Sequence, residues 1–133
     1  MNAAVQDAGE ARTMRILYVE DNALIREMTC ELLMRPEREI AAFATAEEAL
    51  GEFQRRPCDV LITDVSLPNM SGLDLARRIA RVRPQTAIII ATGYEMPAAL
   101  EGWEGNAAMI NKPFEAEEVE PIIQRLLAAA NAR

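Results

Sequence analysis

Two hydrophobic patterns alternate along this chain. Largely apolar runs of strand length stand at 15–19 (RILYV), 60–64 (VLITD) and 87–91 (AIIIA). Runs with no polar residue at every second place predict strands buried on both faces. Weaker runs at 39–43 and 107–110 predict two more strands. Between the runs, apolar residues fall three and four apart, the spacing of a helix with one buried face. Leu24, Ile25, Met28, Leu32 and Leu33 fall at helical spacing and predict a first helix, which Pro36 ends. Thr45-Ala46-Glu47-Glu48 has the order of a capping box, with Thr45 as N-cap and Glu48 three residues on. Its helix is predicted to run to about 55, ahead of Pro57. LPNMSG (67–72) predicts a turn by its Pro, Asn and Gly. The helix after it, 73–82, carries Leu75, Ile79 and Val82 on one face and stops before Pro84. The last helix, 115–130, turns Val119, Ile122, Ile123, Leu126 and Leu127 inward. Its acidic start suits the helix dipole, and Pro121 inside the pattern predicts a delayed start or a kinked first turn. The stretch 92–106 holds Pro97, Gly102 and Gly105, so any helix there is short.

Strands alternating with helices predict an α/β fold, a doubly wound five-stranded parallel sheet with helices on both faces. Residues 1–13 are small and polar and predict a flexible tail; 14–130 form a single domain with no repeat or low-complexity segment. At 133 residues, half of them apolar, the chain can bury a core without disulfides or a structural metal. In such sheets the functional crevice lies outside the carboxyl ends of the strands, near the point where strand order reverses.

Charge and composition narrow the function. A formal net charge of −7 repels nucleic-acid phosphates and anionic lipid, so neither DNA nor a membrane is an expected partner. No apolar run approaches the ~20 residues of a membrane span, and the polar start has no signal-peptide core. Cys30 and Cys58 form no CxxC, which fits two buried thiols in a reducing, cytoplasmic setting. There is no histidine, so no histidine of this chain serves as base, metal ligand or phosphorylated intermediate.

The strand ends carry the chemistry. Glu20-Asp21 closes the first strand, Asp64 the third and Thr92 the fourth, and Lys112 follows the fifth. Each alone has an ordinary reading: a solvated strand end, a turn residue beside a glycine, a surface lysine. Together, in order, at one end of one sheet, they make a set. Converging carboxylates repel unless a cation sits among them, and oxygen ligands without His or Cys point to Mg²⁺. A carboxylate flanked by a metal, a lysine and a hydroxyl suits phosphoryl transfer, which needs positioning and charge neutralisation more than acid–base groups. The carboxylate can itself be the nucleophile.

The pieces ILYVEDN (16–22), LITDVSLPNMSGLDL (61–75), IIIATGYE (88–95) and NKPF (111–114) resemble the receiver domain of bacterial two-component response regulators, over nearly the whole chain from Arg15 onward. The resemblance implies a flavodoxin-like sheet of strand order 2-1-3-4-5. It implies that Asp64 accepts a phosphoryl group from a phosphohistidine on a histidine kinase or histidine phosphotransfer protein. It implies Mg²⁺ held by Asp21, Asp64 and the backbone carbonyl of Ser66, with Glu20 reaching it through water, and phosphoryl oxygens met by Lys112 and Thr92. The chain is then a signalling phosphoprotein and no enzyme beyond its own Mg²⁺-dependent phosphorylation and autodephosphorylation. No output domain is expected after Arg133, so output is expected through a downstream protein, at the face of the fourth helix, fifth strand and last helix.

The chain departs from the family in places. Met109 stands three residues before Lys112, where the family usually has an inward-turning aromatic; Tyr94 is a candidate to take part of that role. Trp103 fits either a ring closing the edge of the core or a partner contact. IIIATGYE is similar to the Phe-Ala-Thr-Gly-Tyr-like motif of a subgroup associated with general stress signalling, with Ile90 in place of the Phe. The alternatives are a receiver module of a hybrid histidine kinase, a pseudo-receiver that binds partners without phosphorylation, and an aspartyl-phosphate phosphatase of the haloacid-dehalogenase type. The last needs a second Asp where this chain has Ser66.

Overall fold

The computed structural model describes residues 13–93, 100, 103 and 105–131. Five strands, β1 (Met14–Val19), β2 (Arg38–Phe43), β3 (Val60–Asp64), β4 (Ala87–Thr92) and β5 (Ala107–Asn111), pair in parallel in the order β2-β1-β3-β4-β5. The described helices are α1 (Ala23–Leu33), α2 (Ala46–Arg55), α3 (Gly72–Val82) and α4 (Ala116–Asn131). The predicted strands and helices stand within a residue or so of these bounds. The predicted tail, apart from Thr13, and most of the stretch between β4 and β5 lie outside the described residues.

Alternation along the central strands sends side chains to two cores. On one face Ile16, Tyr18, Ile62 and Ile89 pack with Leu33 of α1 and with Val119, Ile123 and Leu126 of α4. On the other, Leu17, Val19, Leu61, Ile88 and Ile90 pack with Ala49 and Phe53 of α2 and with Leu75 and Ile79 of α3. Both faces are covered, which is why the strands read as continuous apolar runs.

The helix starts follow their cap residues. The Asn22 side chain accepts from the Ile25 N–H, Thr45 from Glu48 N–H and Ser71 from Asp74 N–H. At α4 the Glu118 carboxylate accepts from Glu115 N–H at 2.8 Å. α4 begins ahead of Pro121, so the proline does not delay its start.

Two helices leave apolar residues in water. Leu24 and Met28 of α1 are 65% and 60% exposed, and Ile25 is exposed too. At about 100° per residue Leu24 and Met28 point away from Leu33, so the apolar residues of α1 form two opposed stripes, and one helix on one sheet buries only one. Val82 is 74% exposed. It stands in the last turn of α3, on the flank of the buried stripe, where it borders a groove between α3 and α2.

Charged residues clamp the sheet at the amino ends of the strands. Buried Arg15 pairs with Glu52 of α2, and its N–H donates to Asp59 at 2.8 Å. Buried Arg38 donates to the Leu33 carbonyl at 2.9 Å and pairs with Glu120 of α4. Cys58 is buried, and burial pushes its thiol up to about 12; Cys30 is half-buried, and both are free thiols.

Candidate functional site

Strand order reverses between β1 and β3, so the crevice of this sheet lies over their carboxyl ends. β1 pairs Val19 with Thr63 of β3, which sets the acidic pair after Val19 beside Asp64. β3 pairs Asp64 with Ala91, and β4 pairs Thr92 with Asn111, one residue before Lys112. Register alone thus lines up the residues that are scattered along the chain.

Glu20 is only 2% exposed, Asp64 is half-buried and Asp21 faces solvent. One carboxylate oxygen from each lies within 4.8 Å of the others. Lys112 closes the crevice from the other side: its Nζ donates to Glu20 Oε1 at 2.7 Å and to Asp64 Oδ2 at 2.9 Å. Burial raises the Asp64 carboxyl above its ordinary range; the Lys112 hydrogen bond works against this, and the Glu20 charge adds to it. Burial alone would lower Lys112, but its hydrogen bonds to Glu20 and Asp64 outweigh that and hold it above its usual value. Thr92 is buried at the end of β4, and its carbonyl accepts from Lys112 N–H at 2.8 Å.

Local structure holds these groups in place. Glu20 is tied by its second carboxylate oxygen to Asn22 N–H at 3.0 Å, and by its carbonyl to the Arg26 guanidinium at 2.8 Å. After Asp64 the chain bends through an exposed Ser66 and through Asn69, whose φ of 63° lies in the left-handed region that asparagine tolerates. Gly72 then passes directly beneath the phosphoacceptor candidate. A Cβ there would lie 1.6 Å from the Asp64 carbonyl oxygen. The Thr63 hydroxyl caps the same carbonyl at 3.0 Å.

Glu20, Asp21, Asp64 and Lys112 are therefore brought together, with Thr92 at the end of the adjoining strand. Met109 is half-buried on β5 and packs against the α2–α3 core. Trp103 packs against the same core; its buried indole Nε1 has no hydrogen-bond partner among the described residues. Tyr94 lies outside the described residues. Sequence reading missed Arg26 and the true task of Gly72. Arg26 carried no signal, being one arginine on a helix; Gly72 looked like any turn glycine.

Three carboxylates with no nitrogen or sulfur ligand are a donor set for a hard divalent cation, and the residues present fit such an ion. The family model of the response regulator receiver domain matches residues 16–124. The chain belongs to that family. As a receiver domain it is 29% identical over 118 residues to the response regulator receiver protein CpdR of Brucella abortus, covering 87% of this chain and 98% of that protein. It is 31% identical to the sensory transduction protein LytT of Bacillus subtilis, covering 84% of this chain. It is 33% identical to nodulation protein W of Bradyrhizobium diazoefficiens, covering 83% of this chain. The receiver spans 47% and 50% of the length of those two relatives. Among solved structures, a CheY-like receiver domain protein of Methanospirillum hungatei superposes with a TM-score of 0.81 at 26% identity, over 90% of this chain and 98% of that one. A receiver domain from Clostridium thermocellum gives 0.79 at 28%, over the same shares of each chain. The chain is thus a two-component signalling receiver. Among the described residues no helix is long and apolar enough to cross a membrane.

Proposed function

We propose that this receiver is a phosphoacceptor switch whose nucleophile is Asp64. The phosphoryl group comes from a phosphohistidine on a histidine kinase or histidine phosphotransfer protein. The observation that carries this reading is Lys112 bonded to Asp64 and Glu20 at once, with Asp21 in the same cluster. One cation already neutralises part of a site that has charge to spare for another.

A carboxylate oxygen of Asp64 attacks phosphorus, the phosphorus–nitrogen bond of the donor breaks, and the freed imidazole takes up a proton. Asp21, Asp64 and the Ser66 carbonyl, with Glu20 reaching it through water, would hold Mg²⁺, which would supply positive charge to the phosphoryl oxygens. Lys112 gives up Asp64 and follows the charge to the phosphoryl group, because Asp64 becomes an ester-like oxygen and a poorer acceptor. The Thr92 hydroxyl donates to a second phosphoryl oxygen. The change of partner at Lys112 is felt along β5, where Met109 stands in place of the family's switch aromatic. The face of β5 and α4 is then the output surface for a downstream protein. The chain catalyses nothing on other substrates.

Intact mass after incubation with acetyl phosphate and Mg²⁺ tests this. A single phosphate adduct that needs Mg²⁺ and is lost in Asp64→Asn is the expected result. A wild type that takes up no phosphate, from acetyl phosphate or from a phosphohistidine donor, returns the chain to the pseudo-receivers.

A further inference from the structure

α2 and α3 lie side by side on the sheet face opposite α1 and α4. Leu50, Phe53 and Gln54 of α2 face Arg78, Arg81 and Val82 of α3 across a surface groove of about 400 Å³. On each helix the three residues stand at i, i+3 and i+4, so two parallel ridges frame the groove. The floor is apolar: Phe53 is buried and Leu50 half-buried. Val82 forms one wall and is more exposed than any other large hydrophobic residue described. Arg78 and Arg81 are exposed at the rim, and neither has an ion-pair partner among the described residues, whereas Arg77 pairs with Asp74. On a chain of net charge −7, two unpaired guanidiniums beside an apolar groove form a local field of the opposite sign.

We infer that this groove takes the apolar side chains of an acidic amphipathic helix of a partner protein. Apolar anchors at i, i+3 and i+4 fill the crease while flanking carboxylates meet Arg78 and Arg81. A small ligand fits less well, since a groove walled by an exposed Val82 leaves most of its surface wet. The overall negative charge argues against nucleic acid. The exposed stripe on α1 is a different surface, on the other side of the sheet and at the lip of the acidic site. The inference does not depend on phosphoryl transfer at Asp64.

The test is fluorescence anisotropy of a labelled synthetic helical peptide with leucines at i, i+3 and i+4 among glutamates, titrated with the whole chain. The control peptide has serines for the leucines. The wild type should bind the leucine peptide and not the serine peptide, and more weakly as salt rises. Arg78→Glu with Arg81→Glu should weaken binding about tenfold, the scale of two reversed rim charges. Val82→Gln should weaken it too, with no loss of folding by circular dichroism, because all three residues are exposed. Equal binding of both peptides, or unchanged binding to the variants, overturns the inference. So does a wild type that dimerises in sedimentation while the double-arginine variant stays monomeric, which assigns the groove to a second copy. Tight binding of a single-stranded RNA probe that the same variant abolishes also overturns it.

Discussion

At the scale of single residues, the acidic site works against the stability of its own fold. Burial raises the pKa of Asp64, so the folded state disfavours its charged form more than the unfolded chain does. Below the unfolded value of about 4 both states are protonated and nothing is lost; as pH rises through the folded value, folding must keep a charge it disfavours. Asp64→Asn removes that charge. Without Mg²⁺ the variant should therefore melt above the wild type at neutral pH, with the gap closing below about pH 4. Differential scanning calorimetry in chelator across that range checks it; a lower melting temperature at pH 7 would show that Lys112 stabilises the charge more than burial opposes it. Gly72 predicts the reverse. A Cβ placed 1.6 Å from the Asp64 carbonyl oxygen meets backbone, not a side chain that can swing away. Gly72→Ala should cost ~3 kcal/mol in urea unfolding and should lower phosphate uptake by displacing Asp64. The carboxylates and the lysine were legible in the sequence because chemistry shows in residue type. The need for glycine at 72 was not, because it arises from a close approach between segments that a linear reading keeps apart.

At the scale of elements, periodicity placed every described strand and helix, yet it left open which apolar stripe meets the sheet. On α1 the two opposed stripes are the reason: spacing reports that residues share a helix, and only packing decides which stripe meets the sheet. The stripe left in water, Leu24 with Met28, starts at the lip of the acidic site, two residues past the Asn22 cap. A donor protein that brings a phosphohistidine to Asp64 would bury it. Met28→Asp should thus slow phosphotransfer from a protein donor about tenfold or more while leaving uptake from acetyl phosphate unchanged. Equal slowing with both donors would place the effect in the site itself. α4 is held by a different device. Arg38 is buried and bonds Glu120, whose carboxyl is held below its usual range by that hydrogen bond against the opposing effect of burial. Its stabilisation is present above the unfolded value of about 4.3 and is lost as pH falls through the lower folded value. Glu120→Gln should cost ~2 kcal/mol at neutral pH, since Arg38 keeps the Leu33 carbonyl but loses its charge partner. Urea melts of both proteins at pH 7 and near pH 3 would show the difference shrinking with acid.

At the scale of the whole molecule, strand order turns a scattered sequence into one site. β1 and β3 are neighbours although α1, β2 and α2 lie between them in the chain, and their parallel register puts Glu20, Asp21 and Asp64 within reach of one ion. The same arrangement splits the labour between ends: buried ion pairs of Arg15 and Arg38 lock the amino ends of the strands, and unbalanced carboxylates gather at the carboxyl ends. Folding therefore assembles repulsion at one place and relies on the rest of the sheet to hold it. A bound divalent cation should relieve that repulsion in the folded state only, because the unfolded chain separates the three carboxylates. Saturation at 100 times the dissociation constant adds ~2.7 kcal/mol to the unfolding free energy. Mg²⁺ should accordingly raise the melting temperature of the wild type, by several degrees for a domain of this size, and Asp21→Asn should remove most of the gain. Because Asp21 faces solvent, the variant should fold like the wild type in chelator, which separates lost metal binding from lost structure. A Mg²⁺ response that survives in Asp21→Asn would move the ion away from the Glu20, Asp21 and Asp64 cluster, and with it the charge balance that the phosphoacceptor reading needs.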